Sequence, residues 1–177
     1  MELATFSDMR QLILFIVMSL SVQLWGQNPS GFDEMCKGYI KGTVPIAHPA
    51  QLKFEMTKNP DLVILDAREI EEYNVSHIEN AQFVGYDHFK MDAVKALKKD
   101  AKIYVYCSIG YRSEKIGEKL QKAGYENVYN LYGGIFAWGN ASYPLVDNEG
   151  KPTTSVHGYN KKWAKWLNKS TTRTILK

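Results

Sequence analysis

Along residues 43 to 146, short apolar runs that predict strands alternate with longer mixed segments that predict helices. Leu62–Leu65 and Lys102–Tyr106 are nearly continuous apolar runs, which is typical of strands buried on both faces. Shorter runs predict strands at Gln82–Gly85 and Asn127–Leu131. Helices are predicted between the strands, at residues 49–58, 69–74, 91–97 and 114–123, with a last helical turn through Trp138.

The alternation of strands and helices predicts an α/β fold with a central parallel sheet and helices on both faces, in three layers. Ligand sites of such sheets lie outside the carboxyl ends of the strands. Asp66 ends the first long strand and Cys107 follows the second, so both are expected at that edge. Ser113 is a candidate N-cap for the helix after Cys107.

The first 26 residues differ in kind from the rest of the chain. Residues 12–18 are wholly apolar and are followed by a mixed stretch up to Trp25, which predicts a secretory signal peptide. This apolar run is shorter than the roughly 20 apolar residues that a membrane-spanning helix needs. The alternative to a cleaved signal peptide is an anchor that stays on the protein. We expect export to a bacterial periplasm, free or anchored. Residues 27–42, rich in Gly, Asn, Pro and Ser, are predicted to be a linker before a domain at 43–146.

The last segment, residues 147–177, is basic, with seven Lys or Arg residues against two acidic ones. Trp163, Trp166 and Leu167 have the spacing of one helix face, which predicts a short amphipathic helix over residues 160–168. The tryptophans either dock onto the domain or bind an anionic membrane surface or an acidic partner. Residues after Asn168 are expected to be disordered.

Composition narrows the function classes. A chain of 177 residues is long enough for one domain with appendages. Its net charge of +3 is modest and no basic stripe is interleaved with aromatic residues, so nucleic-acid binding is not expected. The four histidines have no spacing that predicts a metal site.

Cys107 carries the chemistry that the pattern predicts. It opens a compact loop, Cys107 to Arg112, between a strand and a helix. The loop N–H groups, the positive end of the helix and the Arg112 guanidinium all favour a thiolate over a thiol. The alternative is a small hydrophobic residue buried at the end of a core strand. Gly110, where the backbone must turn tightly, favours the interpretation of Cys107 as a nucleophile.

Four signatures occur in order between residues 43 and 146, and the set resembles the single-domain rhodanese family of sulfurtransferases. They are Asp66-Ala67-Arg68 with Glu72-Tyr73 and His77-Ile78, the loop from Cys107 to Ser113, Gly124-Tyr125 before Val128 to Leu131, and Gly133-Gly134 before Trp138. The resemblance implies a rhodanese-like α/β/α fold. It implies that Cys107 is catalytic and that the persulfide or substrate is bound by the loop residues Ser108, Ile109, Gly110, Tyr111, Arg112 and Ser113. Asp66, Arg68 and His77 are supporting residues, with a purely structural role as the alternative.

The resemblance also implies sulfur transfer by double displacement. Cys107 takes a sulfane sulfur from a donor such as thiosulfate, holds it as a persulfide and gives it to a thiol or cyanide, with no metal or organic cofactor. The Cys-x4-Arg spacing is one residue shorter than that of related phosphatases, which favours sulfur over phosphate or arsenate. Arg112 either holds the anion or braces the loop through an ion pair. Ser108 replaces an arginine of many relatives, which predicts a weaker grip on small dianions.

Two other interpretations stay open. A rhodanese-type module that carries or senses persulfide without turnover needs the same fold, although an activated thiol favours an enzyme. Thiol–disulfide exchange between Cys107 and Cys36 is the more distant one, because Cys36 is expected in an extended lead-in and no structural disulfide is expected. The chain is expected to be a monomer.

Overall fold

A parallel sheet organises residues 28–176, the part of the chain that the computed structural model describes. Its five strands are β1 (Ile46–Ala47), β2 (Val63–Asp66), β3 (Gln82–Phe83), β4 (Lys102–Tyr106) and β5 (Asn127–Leu131), in the order β1-β5-β4-β2-β3. The helices are α1 (Phe32–Tyr39), α2 (Pro49–Lys58), α3 (Ile70–Val75), α4 (Tyr111–Lys122), α5 (Gly134–Asn140) and α6 (Lys161–Ala164), with a 3-10 turn at Met91–Val94. Two small pairs follow the sheet: antiparallel β6 (Leu145–Val146) with β7 (Pro152–Thr153), and parallel β8 (Ser155–His157) with β9 (Arg173–Ile175).

Each face of the sheet is covered by its own hydrophobic core. Along β4, Tyr104 and Tyr106 belong to one cluster, whereas Ile103 and Val105 belong to the other. Successive side chains of a strand point to opposite faces, so a strand buried on both faces reads as one apolar run. This arrangement confirms the predicted three-layer α/β/α fold with a central parallel sheet.

The predicted bounds of β4 and β5 agree with the structure residue for residue, and β2 begins one residue later than predicted. The helix predicted over residues 91–97 is only a 3-10 turn at Met91–Val94. The helix after Cys107 begins at Tyr111, and Gly110 occupies the N-cap position, so the assignment of Ser113 as N-cap was wrong.

The prediction of a linker at residues 27–42 was wrong for the described part of that segment. Residues Phe32–Tyr39 form α1, and Phe32, Cys36 and Ile40 are buried in the core. Their spacing of four residues places all three on one helix face, and that apolar contact outweighs the high content of Gly, Asn and Pro nearby. Cys36 therefore lies in a packed helix and not in an extended lead-in.

The C-terminal segment is also more ordered than predicted. Helix α6 has only four residues, but Trp163, Trp166 and Leu167 do pack against the main core, as the docking interpretation predicts. The expectation of disorder after Asn168 was wrong, because Arg173–Ile175 pairs with β8. Ser155 of β8 pairs with Arg173 of β9, and a strand partner this far along the chain leaves no sign in the local sequence pattern.

The predicted signal peptide at residues 1–26 lies outside the described residues, and export to a periplasm stays a prediction. No helix between residues 28 and 176 combines the length and the apolar character that crossing a bilayer requires.

Candidate active site

The loop between β4 and α4 places Cys107 at the carboxyl edge of the sheet. Strand β4 lies between β2 and β5, and Tyr106 is in register with Asp66. Cys107 is only 1% exposed, and it lies on the wall of a cleft of about 530 Å³. A reagent therefore has to approach the thiol through this cleft.

The carbonyl groups of the loop are all engaged by neighbouring elements. The Cys107 and Ser108 carbonyls accept hydrogen bonds from the N–H groups of Ile135 and Phe136 in α5, at 2.9 and 3.1 Å. The Ile109 carbonyl accepts from the Cys36 thiol at 3.9 Å. The Gly110 carbonyl accepts from Glu114 N–H and from the Asn130 amide, at 3.2 and 2.9 Å. The first N–H groups of a helix have no intrahelical acceptor, so the loop is left with donors to offer to an anion.

Two glycines allow this close packing. Gly110 has φ +112°, and a Cβ there would lie 2.6 Å from Ile40 Cδ1. Gly134 has φ +53°, and a Cβ there would lie 2.2 Å from the Cys107 carbonyl oxygen. Both residues combine a left-handed backbone with a lack of room for any side chain, which only glycine tolerates.

The Cys107 sulfur accepts one hydrogen bond and lies near a second polar group. The Gly110 N–H donates to Sγ at 3.1 Å, and the Ser113 hydroxyl lies 3.6 Å from it. The same hydroxyl lies 2.7 Å from Asn130 Oδ1, in the interior of the protein. Asn130 therefore connects the carbonyl of Gly110 with the side chain of Ser113 and fixes the geometry of the loop around the sulfur.

Arg112 forms a bidentate ion pair with Glu72 and does not point freely into the cleft. Its two terminal nitrogens lie 2.7 and 2.8 Å from the Glu72 carboxylate, which also accepts from Ser108 Oγ at 2.9 Å. Burial alone would raise the pKa of Glu72, but the hydrogen bonds and charge of Arg112, the charge of Arg68 and the Glu69 N–H together lower it. This geometry matches the bracing role that was one of two predicted for Arg112.

Asp66 and Arg68 form a buried ion pair beside the loop. Both side chains are fully buried, and Arg68 Nη2 lies 2.6 Å from Asp66 Oδ2 and 2.6 Å from the Ser76 carbonyl. Burial alone would lower the pKa of Arg68, but the charge and hydrogen bonds of Asp66 raise it. The acid that pairs with Arg68 is thus Asp66, since Glu72 is taken by Arg112.

His77 is not among the residues that line the cleft, and its contacts support the fold. Its ring stacks on Tyr73 at a centroid distance of 3.9 Å, and Nδ1 is 3.2 Å from the Tyr73 carbonyl. Its backbone pairs with Val146 in both directions. Trp138 is fully buried and donates to the Pro144 carbonyl, as expected for a core residue.

The cleft in front of Cys107 has an aromatic and acidic lining. Besides the loop, it is lined by Tyr39, Glu69, Tyr86, Asp87, Tyr159 and Trp163. No group of three or more His, Cys, Asp or Glu side chains within residues 28–176 has the arrangement of a metal site. Cys107 itself is one of the residues that line this cleft, so a ligand bound there can meet the thiol directly.

Sequence reasoning missed three features of the site. Asn130 lies within a predicted core strand, and a polar residue in such a strand was the available signal. Glu114 is fully buried and accepts hydrogen bonds from the N–H groups of Lys41 and Thr43, which ties the N-terminal segment to α4. The aromatic residues from the two ends of the chain had no local signal, because only the folded chain brings them to the cleft.

The comparisons with known proteins identify the domain. The profile of the rhodanese-like domain family matches residues 48–141, which is more than half of the chain. The chain belongs to the rhodanese-like domain family. The rhodanese domain thus covers α2 to α5, with α1, β1 and the segment from β6 onward outside it.

Solved structures agree with this rhodanese fold. The rhodanese-like domain of an Anabaena sp. protein, solved by NMR, has a TM-score of 0.54 and 30% identity over 58% of this chain and 79% of that chain. A thiosulfate sulfurtransferase from Pseudomonas aeruginosa has a TM-score of 0.56 over 68% of this chain and 23% of that chain. Its identity is 23%, so this similarity concerns the fold alone.

Curated relatives include longer proteins. The tRNA uridine(34) hydroxylase of Onion yellows phytoplasma is 43% identical over 84 residues, which are 45% of this chain and 27% of that protein. The hydroxylase of Escherichia fergusonii is 36% identical over 88 residues, 47% of this chain and 25% of that protein. The rhodanese chain thus spans about a quarter of the length of these relatives.

Proposed function

We propose that this protein is a sulfurtransferase in which Cys107 carries a sulfane sulfur as a persulfide. The observation that carries the proposal is the hydrogen bond from Gly110 N–H to the Cys107 sulfur, in a loop whose carbonyls are turned away from the sulfur. Preorganised N–H donors stabilise an anion without reorganisation during the reaction. The terminal sulfur of a persulfide is such an anion.

The first step takes sulfur from a donor such as thiosulfate. The Cys107 thiolate attacks the outer sulfur, a new S–S bond forms at Sγ, and the old S–S bond breaks with its electron pair leaving on sulfite. Two negative charges of thiosulfate and one of the thiolate become one on the persulfide and two on sulfite. The loop N–H groups would hold the persulfide anion at the N-terminus of α4.

The second step returns the thiolate. A thiolate acceptor attacks the terminal sulfur, takes it as its own persulfide and leaves Cys107 with the electron pair of the broken bond. Cyanide does the same and leaves as thiocyanate. Arg112 supports both steps by holding the loop through Glu72, since its guanidinium is already occupied by that carboxylate.

The test is a mass measurement of the full protein after incubation with thiosulfate and gel filtration. We expect a gain of 32 daltons that cyanide removes and that Cys107→Ser abolishes. Cys36→Ala is the matched control and should keep the gain. A gain that survives in Cys107→Ser, or no gain in the native protein with any sulfane donor, would contradict the proposal.

The burial of Cys107 favours a second candidate function, a carrier or sensor of persulfide without useful turnover. A sulfur enclosed by the loop would exchange slowly with acceptors that cannot enter the cleft. This candidate predicts a 32-dalton adduct that forms and persists in the presence of thiols and cyanide.

Since only about a quarter of the hydroxylase relatives matches this chain, we do not extend tRNA hydroxylation to it.

A further inference from the structure

The outer wall of the cleft is built by segments that lie outside the family match. Tyr39 comes from the end of α1, and Tyr159 and Trp163 come from the region of β8 and α6. The matched domain, residues 48–141, contributes Tyr86 and Tyr111. Five aromatic side chains thus surround the approach to one sulfur atom, and three of them are additions to the family domain.

The aromatic side chains contact one another and leave ring surface exposed. Tyr39 packs edge to face against Trp163 at 5.1 Å and against Tyr111 at 6.4 Å. Tyr111 and Tyr159 are 42% and 52% exposed. Exposed aromatic rings at the mouth of a concave site are favourable partners for an apolar or aromatic ligand.

Tyr159 is held over the cleft at a conformational cost. Its φ is +61°, a left-handed backbone that a tyrosine rarely adopts. Its N–H donates to His157 Nδ1 at 3.1 Å, and its ring lies 5.5 Å from the Arg112 guanidinium. A strained backbone at the edge of a site indicates that the position of the side chain matters there.

The charges that line the cleft disfavour small dianions. Glu69 and Asp87 are carboxylates, and Arg112 is the cation among the described lining residues. The charge of Arg112 is already balanced by Glu72 at 2.7 Å, and Glu69 lies 3.9 Å from the same guanidinium nitrogen. A donor with two negative charges therefore meets an entrance whose unbalanced charge is also negative.

These observations point to a substrate class. We infer that the aromatic cleft selects sulfur donors or acceptors with an aromatic or apolar organic group and at most one negative charge, over small inorganic dianions such as thiosulfate. This inference rests on the proposed function, because it concerns the partners of the Cys107 persulfide. A cleft of about 530 Å³ has room for a ring next to the reacting sulfur.

The reaction balances with an organic thiosulfonate as donor. The Cys107 thiolate attacks the outer sulfur of R–SO₂–S⁻, the new S–S bond forms at Sγ, and the bond to the sulfonyl sulfur breaks. Its electron pair leaves on the sulfinate R–SO₂⁻. One negative charge sits on each reactant and on each product, and no further oxidant or reductant takes part.

The experiment compares three donors with the native full-length protein: benzenethiosulfonate, methanethiosulfonate and thiosulfate. The second-order rate of Cys107 persulfide formation is divided by the rate of each donor with free 2-mercaptoethanol, which removes intrinsic reactivity. The first two donors differ in the ring, and the last two differ in charge. We expect benzenethiosulfonate to exceed methanethiosulfonate about tenfold, with thiosulfate slowest.

Variants locate the effect. Tyr159→Asn removes the ring and keeps a residue that tolerates the left-handed backbone, and we expect it to lower the benzene-to-methyl ratio about threefold. Phe54→Ala is the control, since Phe54 is a 61% exposed aromatic residue outside the cleft, and it should leave the ratio unchanged. Asp87→Asn removes one charge from the cleft lining and should raise the thiosulfate rate relative to methanethiosulfonate about twofold.

A second readout separates the inference from the proposed function. Calorimetric titration of Cys107→Ser with benzenesulfonate and methanesulfonate measures the cleft without sulfur transfer, and we expect the aromatic sulfonate to bind about tenfold more tightly. Equal rates and equal affinities for the two groups, or a ratio that Tyr159→Asn does not change, would overturn the inference. If no donor forms a persulfide while the aromatic sulfonate still binds selectively, the proposed function fails and the aromatic preference of the cleft stands.

Discussion

The loop around Cys107 and the wall in front of it are built in different ways. The loop is fixed by backbone groups and buried charges: four carbonyls with partners, two glycines without room for a side chain, and the ion pairs of Glu72 and Asp66. The wall is made of partly exposed aromatic rings, three from the segments on either side of the rhodanese domain and two from the domain itself. A substitution in the loop is therefore expected to disturb buried contacts, whereas a substitution in the wall mainly changes exposed side-chain surface.

This difference divides the work between the two regions. Main-chain donors around the sulfur serve any sulfur chemistry, so changes there should affect all donors equally and should also affect stability. Side chains of the wall contact only the part of a ligand that does not react. Changes there should alter the preference among donors and leave the global free energy of unfolding nearly constant.

The largest effect is expected for Glu72→Ala. This change removes the bidentate carboxylate partner of the Arg112 guanidinium, which is 15% exposed, and leaves it with Glu69 at 3.9 Å. It also removes the acceptor of Ser108 Oγ. Breaking a buried ion pair from one side costs about 3–5 kcal/mol, so we expect a loss of that order in the free energy of unfolding by urea. Persulfide formation should fall for all donors alike.

Glu71→Ala provides the matched control, since Glu71 is the exposed neighbour in the same helix. A Glu72→Ala protein as stable as this control would show that the ion pair does not fix the loop.

Acid should remove the same interaction. The lowered pKa of Glu72 means that the folded protein binds the proton less tightly than the unfolded chain does. The stabilisation is therefore fully present above the ordinary value of 4.5 and is lost as the pH falls through the lower folded pKa. The difference in unfolding free energy between the native protein and Glu72→Gln should be constant from pH 7 to 5 and should shrink below pH 4.5. A difference that grows in acid would reverse the assignment.

A medium effect is expected for Gly110→Ala. The left-handed backbone at φ +112° and the 2.6 Å approach to Ile40 Cδ1 both oppose a Cβ, and we expect a cost of about 1–3 kcal/mol in thermal or urea unfolding. Movement of the Gly110 N–H away from Sγ should also slow persulfide formation. Gly38→Ala is the control, because Gly38 lies in α1 with open space around it, and it should stabilise the protein slightly.

The smallest effect is expected in the wall. The Asn160 side chain caps α6 by accepting from the N–H groups of Lys162 and Trp163. Asn160→Ala should lower the free energy of local opening of α6 by about 1 kcal/mol and leave the global free energy of unfolding nearly constant. Because α6 carries Trp163, hydrogen exchange should accelerate in residues 158–167 while β4 stays protected. Faster exchange in β4 as well would mean that the wall and the domain unfold as one unit. That result would contradict an independent contribution of the two regions.

The sequence predicted the centre of the fold well, for physical reasons that particular strands illustrate. Strand β4 is buried on both faces, so it is visible in the sequence as one apolar run. The start of the run marks the beginning of the strand, and the loop after Tyr106 marks its end. The loop chemistry was equally visible, because a nucleophile, a glycine and an arginine within six residues are a local pattern. The hydrogen bond from the Gly110 N–H to the Cys107 sulfur lies within that local pattern.

The parts that were missed depend on distant contacts. Helix α1 looked like a linker by composition, although Phe32, Cys36 and Ile40 already had helical spacing. Strand β9 has no pattern of its own and is defined by its pairing with β8. The partner of Arg112 was also not predictable. Asp66, Glu69 and Glu72 share one short segment, 40 or more residues before Arg112, and only the folded geometry distributes the two arginines among them.

The position of Cys36 has a practical consequence for following this protein in solution. Its side chain is fully buried, and burial, with the nearby charges of Asp33 and Cys107, raises its pKa to about 12. A chromogenic disulfide reagent should therefore count one thiol in the native state and two after denaturation. The second equivalent therefore reports unfolding without any added label.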